Sequence, residues 1–276
     1  QLGVKNYMGP DTPHRGACPG FFTSSARGLL AGGGRDCVVT KKAAALCRAY
    51  LLLAAGLMIT AFGIGFSIQG GLGTSPISSL PYVVSLITPL TVGTATICLH
   101  VVLILLQILI LRRNYQPIQL MQLPVALVFG YLTDFGVWAI QGLHVATYAG
   151  QWGLCLVGIL LVGIGVACEV VAGVVTLAGE GFVLAVCQVT GLPFGNLKVT
   201  FDVTLVATAS LLSLLFLHQL EGVREGTVAA AILVGMIAKR VQPVLQRRLG
   251  RWLSSQKEAK EGDPSASISQ KREKRT

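Results

Sequence analysis

"TLAGEGFVLAVCQVTGLPFGNLKVTFDV", residues 176–203, decides how many times this chain crosses a bilayer. It sits between two long apolar runs and is largely apolar itself, yet it carries Glu180, Lys198 and Asp202. Its first apolar piece, about 180–190, is too short to cross a ~30 Å hydrocarbon core, which takes ~20 helical residues. A second short piece, about 76–88, follows "GGLGTSP". Six other runs have spanning or near-spanning length: 43–68, 92–111, 121–140, 152–174, 196–217 and the shorter 225–240. The reading is therefore an all-α, polytopic membrane protein with about six transmembrane helices and two short re-entrant or interfacial ones.

Composition agrees. Hydrophobic residues make up 53% of the 276, charged residues only 12%, and the mean hydropathy is +0.67. A soluble domain is usually about 25% charged. The alternating segments of a β-barrel are absent from the sequence. The net charge of +10 comes mostly from the ends and one loop, which reads as membrane orientation and not as a nucleic-acid surface.

Charge also decides whether the short pieces cross. If they do not, Lys41, Lys42, Arg48, Arg112, Arg113, Lys198, Lys239, Arg240, Arg247, Arg248 and Arg251 share one side, and Arg224 stands alone on the other. If both cross, Arg112 and Arg113 move to the far side. The positive-inside rule favours the first arrangement, with both termini cytoplasmic. Residues 1–40 lack periodicity and a signal-peptide core, and are expected to be a disordered or non-native segment. The transmembrane domain is expected at 41–253. Residues 254–276 are polar and charged, and are expected to form a disordered cytoplasmic tail.

The chain also repeats itself. "GTATICLHVVL" (93–103) aligns with "GNLKVTFDVTL" (195–205) at an offset of 102. Gly56, Gly63 and Gly71 meet Gly158, Gly165 and Gly173 at the same offset, and "LVFG" (127–130) matches "ILVG" (232–235). The halves, about 43–140 and 152–240, would each be span, short helix, span, span. Three spans per half is odd, so the halves would be inverted, a plan common among secondary transporters.

Several polar residues interrupt this apolar frame. Lys198 and Asp202 are four apart and can pair on one helix face, either pinning that span or shaping a polar pocket. Glu180 stands in Gly-Glu-Gly at the start of the second short helix. It reads as a charge favoured by the helix dipole, or as a ligand or proton acceptor at a broken helix. Thr74 and Ser75 precede Pro76 and can cap the first short helix or help hold a ligand there. His100 is the repeat-mate of Asp202, and reads as hydrogen-bonded structure or as part of a relay. Asp134 and Glu169 lie late in their spans and need partners or water. The seven cysteines show no ligand spacing, and Cys98, Cys155 and Cys168 suit packing. No catalytic residue, metal site or cofactor is expected, because phosphate loops, paired metal-ligand histidines and nucleophile elbows are missing.

"GLGTSPISSLPYVVSL" (71–86), "GEGFVLAV" (179–186), "FGNLKVTFDV" (194–203) and "EGVREGTVAAAILVG" (221–235) occur in order. Together they resemble the YczE/YyaS/YitT-type family of bacterial multi-pass membrane proteins over roughly 45–240. The resemblance carries Gly73, Ser75, Pro76, Glu180, Lys198 and Asp202 over as motif positions. Ala178 departs from it, standing where proline is expected. The resemblance implies a helical membrane fold and the transport or export of small molecules. The expected function is a secondary transporter or exporter of a small polar or organic molecule. Candidate substrate-binding residues are Thr74, Ser75, His100, Glu180, Lys198 and Asp202. The expected partners are the lipid bilayer, that molecule and a further copy of the chain in a homo-oligomer, with no nucleic acid. The alternative is a non-transporting membrane scaffold or accessory protein supporting a biosynthetic or envelope partner.

Overall fold

The computed structural model describes residues 36–112, 115, 117–143 and 145–253. Residues 1–35 and the tail 254–276 lie outside the described residues. Eight α-helices follow in order: α1 (Asp36–Gly70), α2 (Pro76–Ile87), α3 (Val92–Leu111), α4 (Gln122–Ile140), α5 (Tyr148–Ala172), α6 (Ala178–Thr190), α7 (Phe194–Leu217) and α8 (Glu225–Leu253). A 3-10 turn, Pro117–Met121, leads into α4. Six helices are long and apolar enough to cross a membrane. The chain is a polytopic helical membrane protein.

The two remaining helices, α2 and α6, have 12 and 13 residues. At 1.5 Å per residue they reach only about 18–20 Å. Pro76 starts α2, where its missing N–H costs nothing. Gly173 ends α5 at φ +59°, a conformation that favours glycine, and the chain turns there towards α6. α6 begins at Ala178 without proline and without a side-chain cap.

Two helix ends differ from the sequence reading. α1 already runs from Asp36, because nothing after Gly34 breaks a helix. α8 continues past 240 to Leu253. There Val241, Val244, Leu245, Leu249 and Trp252 recur at helical spacing, and Pro243 is accommodated within the helix.

The centre of the molecule is an antiparallel pair, α1 and α5, in backbone contact at glycines. A Cβ on Gly56 would lie 3.0 Å from the Gly165 carbonyl, and one on Gly63 would lie 2.8 Å from the Gly158 carbonyl. Such close approach is the known use of small residues in membrane helix packing. α4 packs on α1, where Val125, Phe129 and Leu132 join the cluster around Leu53, Leu57 and Ile64. α8 packs on α5, where Ala230, Val234 and Ile237 join Cys155 and Ile159. α2 lies against α3 and α7, and α6 lies against α3 and α7. The short helices meet at their first turns: a methyl group added to Gly179 would collide with Ile77.

Candidate functional site

The site forms where α5 ends and α6 begins. Glu169 lies in the last turn of α5 and Glu180 in the first turn of α6. Both line one small cleft with Val170, Gly173, Val175, Thr176 and Leu177. Its volume is about 30 Å³, enough for a water and not for a metabolite. The Glu169 side chain is buried at 8% exposure, and Thr60 Oγ1 of α1 donates to its Oε1 at 3.1 Å. Among the described residues, no lysine or arginine pairs with Glu169. Glu180 stands within electrostatic reach of Glu169, Lys198 and Asp202. Two carboxylates facing one small cleft repel each other unless a proton or cation lies between them.

Lys198 and Asp202 do pair. Nζ lies 2.5 Å from Oδ1, and their side chains are 29% and 23% exposed. The ammonium also sits 5.8 Å from the centre of the Phe201 ring, a cation–π distance. Phe201 in turn packs on Phe182 of α6 at 5.4 Å. The pair is thus fixed to the short helix that carries Glu180.

The other sequence-derived candidates lie elsewhere. Thr74 is buried with its Oγ1 unpartnered, and its N–H donates to the Gly222 carbonyl in the turn before α8. Ser75 Oγ donates to Ser78 Oγ at 3.0 Å, a contact within its own helix start. His100 is buried and stacks on Phe129 of α4 at 5.9 Å, with Nδ1 unpartnered. None of these three lines the Glu169–Glu180 cleft. The first turns of α2 and α6 come together, but their polar residues do not share a cavity.

Some structural partners were not singled out in the sequence. Thr60 is one. Gln107 is another: its Nε2 donates to the Ala178 carbonyl at 3.0 Å and to Gln122 Oε1 at 3.3 Å, tying the start of α6 to α3 and α4. Both glutamines are 1% exposed. Their signal was available, because an amide inside an apolar span must find a partner. Asp134 finds the partners it was expected to need. Its carboxylate accepts from Gly93 N–H and from Thr91 Oγ1, both at 2.6 Å, and so caps the start of α3 from a neighbouring helix.

A family profile described as a family of unknown function (DUF6198) matches residues 47–243, which span all eight helices in part or whole. The chain belongs to this family. It is also 25% identical over 199 residues to "Uncharacterized protein YyaS" of Bacillus subtilis (strain 168), covering 72% of this chain and 94% of that one. No solved structure matches. The motif resemblance is thus carried at the level of this family and of YyaS. The family match includes Glu169, Glu180, Lys198 and Asp202.

Proposed function

We propose that this chain is a secondary transporter or exporter of a small polar or organic molecule, and not an enzyme. It would be built from two inverted halves, with the Glu169–Glu180 cleft as its coupling site. The observation that carries this reading is Glu169. A carboxylate on a spanning helix costs at least ~2.5–3.5 kcal/mol on insertion scales. Here it is buried beside a second carboxylate, with a threonine hydroxyl as its one donor among the described residues. Such a group earns its place by exchanging a proton or cation as the cleft opens and closes.

The inverted-repeat part has its own support. Gly56 contacts Gly165, and Gly63 contacts Gly158. Exchanging each residue for its mate at an offset of 102 turns the first contact into the second. Ile77 and Gly179, which touch, are also mates at that offset. Contacts of this kind lie about a two-fold axis, and since α1 and α5 run antiparallel, that axis inverts one half relative to the other. In this reading both termini are cytoplasmic, α2 re-enters from outside and α6 from inside a bacterial inner membrane. The kinship with YczE- and YitT-type proteins belongs to the same proposal.

The test is flux in cells and in proteoliposomes. Solutes and pH are compared for a deletion strain, wild type and Glu180→Gln. The amide keeps the size of Glu180, so Glu180→Gln should fold at normal yield and lose flux. Normal flux at normal yield would remove Glu180 from the site. The cleft's volume of about 30 Å³ favours the second reading, a scaffold whose charges only hold α5, α6 and α7 together. In that case no solute would differ between any of the strains.

A further inference from the structure

The two halves differ in how their last two helices pack. In the first half, α3 lies on α4 along a close seam. A Cβ on Gly93 would overlap the Gly130 carbonyl, and one on Gly130 would strike Ile97 and the Gly93 carbonyl. Asp134 latches the seam at its end through Gly93 N–H and Thr91 Oγ1. Gly195 is the repeat-mate of Gly93 at the offset of 102, and Gly235 that of Gly130 at the offset of 105 set by the match of 127–130 with 232–235. A Cβ added to either would meet nothing within 4 Å. No comparable seam joins α7 to α8. The burial follows: 39% and 33% for the α3 and α4 spans, against 17% and 6% for α7 and α8.

This difference is not a matter of register. Ala230, Val234 and Ile237 hold α8 to the α5 cluster. They are the mates of Val125, Phe129 and Leu132, which hold α4 to the α1 cluster. α7 rests on α2 and α6, as α3 rests on α6 and α2. The main contacts of the second-half helices thus match those of their mates, and the α7–α8 contact is unmade.

We infer that the α7–α8 gap is a closing seam. In a second state of the molecule α7 lies on α8 through Gly195 and Gly235, while the α3–α4 seam at Gly93, Gly130 and Asp134 opens. The occupant of this face is the chain's own helix, because the first half already shows the contact. The inference rests on the inverted-repeat part of the transport reading. It also accounts for which seam is closed here. The mate of Asp134 is Lys239, an exposed lysine. Closure would bring an ammonium group to the positive end of α7, where a carboxylate would be favoured. The first seam has a latch and the second has a repulsion, so the present state is the more stable one.

The test is cysteine crosslinking of the full chain in native membranes, with the pair Gly195→Cys and Gly235→Cys and the natural cysteines replaced. Neither substitution meets a neighbour, so yield should hold. A short bifunctional thiol reagent should link α7 to α8 within one chain, detected by cutting the 218–224 turn. Asp134→Ala, which unlatches the first seam, should raise the crosslinking rate several-fold. Because Asp134→Ala also uncaps α3, Lys239→Asp is the independent variant. It disturbs no existing seam and supplies the missing carboxylate, and it should raise the rate too. An unchanged rate in Lys239→Asp, or links formed only between separate chains, would overturn the inference; the latter would give this face to a second copy. The crosslink needs no substrate. Crosslinking as expected with no solute flux sinks the transport reading alone, whereas flux without an intrachain crosslink sinks the closing seam alone.

Discussion

Gly63 offers a sharp test of the packing at the centre. A Cβ there would lie 2.8 Å from the Gly158 carbonyl and from Val162 N, about 0.6 Å inside the 3.4 Å where ordinary contact begins. Both atoms belong to the backbone of α5, so no side chain can swing away to relieve the clash. Gly63→Ala must push α1 from α5, an overpacking cost of about 1–3 kcal/mol. The same substitution gains about 1 kcal/mol in helix propensity. Gly153→Ala on α5 isolates the contact, because it makes the same propensity change where a Cβ meets nothing within 4 Å. The difference between the two variants is then the overpacking term alone, about 1–3 kcal/mol in favour of Gly153→Ala. Unfolding in mixed micelles with increasing denaturing detergent measures both. If Gly63→Ala is as stable as Gly153→Ala, α1 and α5 are not in backbone contact and the reasoning fails. Gly63→Ala combined with Gly158→Ala should cost less than the sum of the two, since both force the same separation.

Two further outcomes follow from the charges. Lys198→Met and Asp202→Asn should each lower folded yield and the double variant should recover much of it. Because the side chains are 29% and 23% exposed, the single cost falls below the ~3–5 kcal/mol of a fully buried pair. Additive losses, with the double variant losing as much as the two singles together, read by size-exclusion of solubilised protein, would show that the contact contributes nothing. For topology, a cysteine at Arg112 should resist membrane-impermeant thiol reagents in intact cells and one at Leu143 should react; labelling of the first from outside would break the six-span arrangement.

Much of the fold was legible because apolar runs of about 20 residues have few other uses. The six spans and the two short helices fall close to the expected positions. The missed ends have a local cause. The extension of α8 is amphipathic, so it lacks the apolar run that marks a span. Glu180 and the Lys198–Asp202 pair were legible since charges stand out in apolar sequence. Glu169 was legible as a group needing a partner, but Thr60 was not, since that partner is 109 residues away and threonine in a helix is unremarked. The separate fates of Thr74, Ser75 and His100 were hidden for a related reason. Spacing reports which residues share a helix face, not which helix that face meets. Gly195 and Gly235 read just as Gly93 and Gly130 do, and only packing separates them.

The cleft and the gap bear on one another. Ligand pockets commonly measure about 300–1,000 Å³, and the Glu169–Glu180 cleft has about 30 Å³. If a solute is to reach these carboxylates, some wall must move. α1 and α5 cannot part easily, since glycine backbones touch at Gly56 and Gly63. Glutamine hydrogen bonds hold α6 to α3 at Ala178, and the Asp134 latch holds α3 to α4. α7 is different. It makes no seam with α8, it is joined to α6 through Phe201 and Phe182, and its Lys198–Asp202 pair lies within electrostatic reach of Glu180. A movement of α7 towards α8 would therefore draw on the Phe182 contact and shift the charges facing Glu180 in the same stroke. The second half carries Glu169, Glu180, Lys198 and Asp202 where the first has Ser67, Ser78, Thr96 and His100. Glu180, Lys198 and Asp202 thus lie on or beside α7, one of the two helices that the missing seam leaves exposed. That coincidence ties the charge of the site to the shape of the molecule.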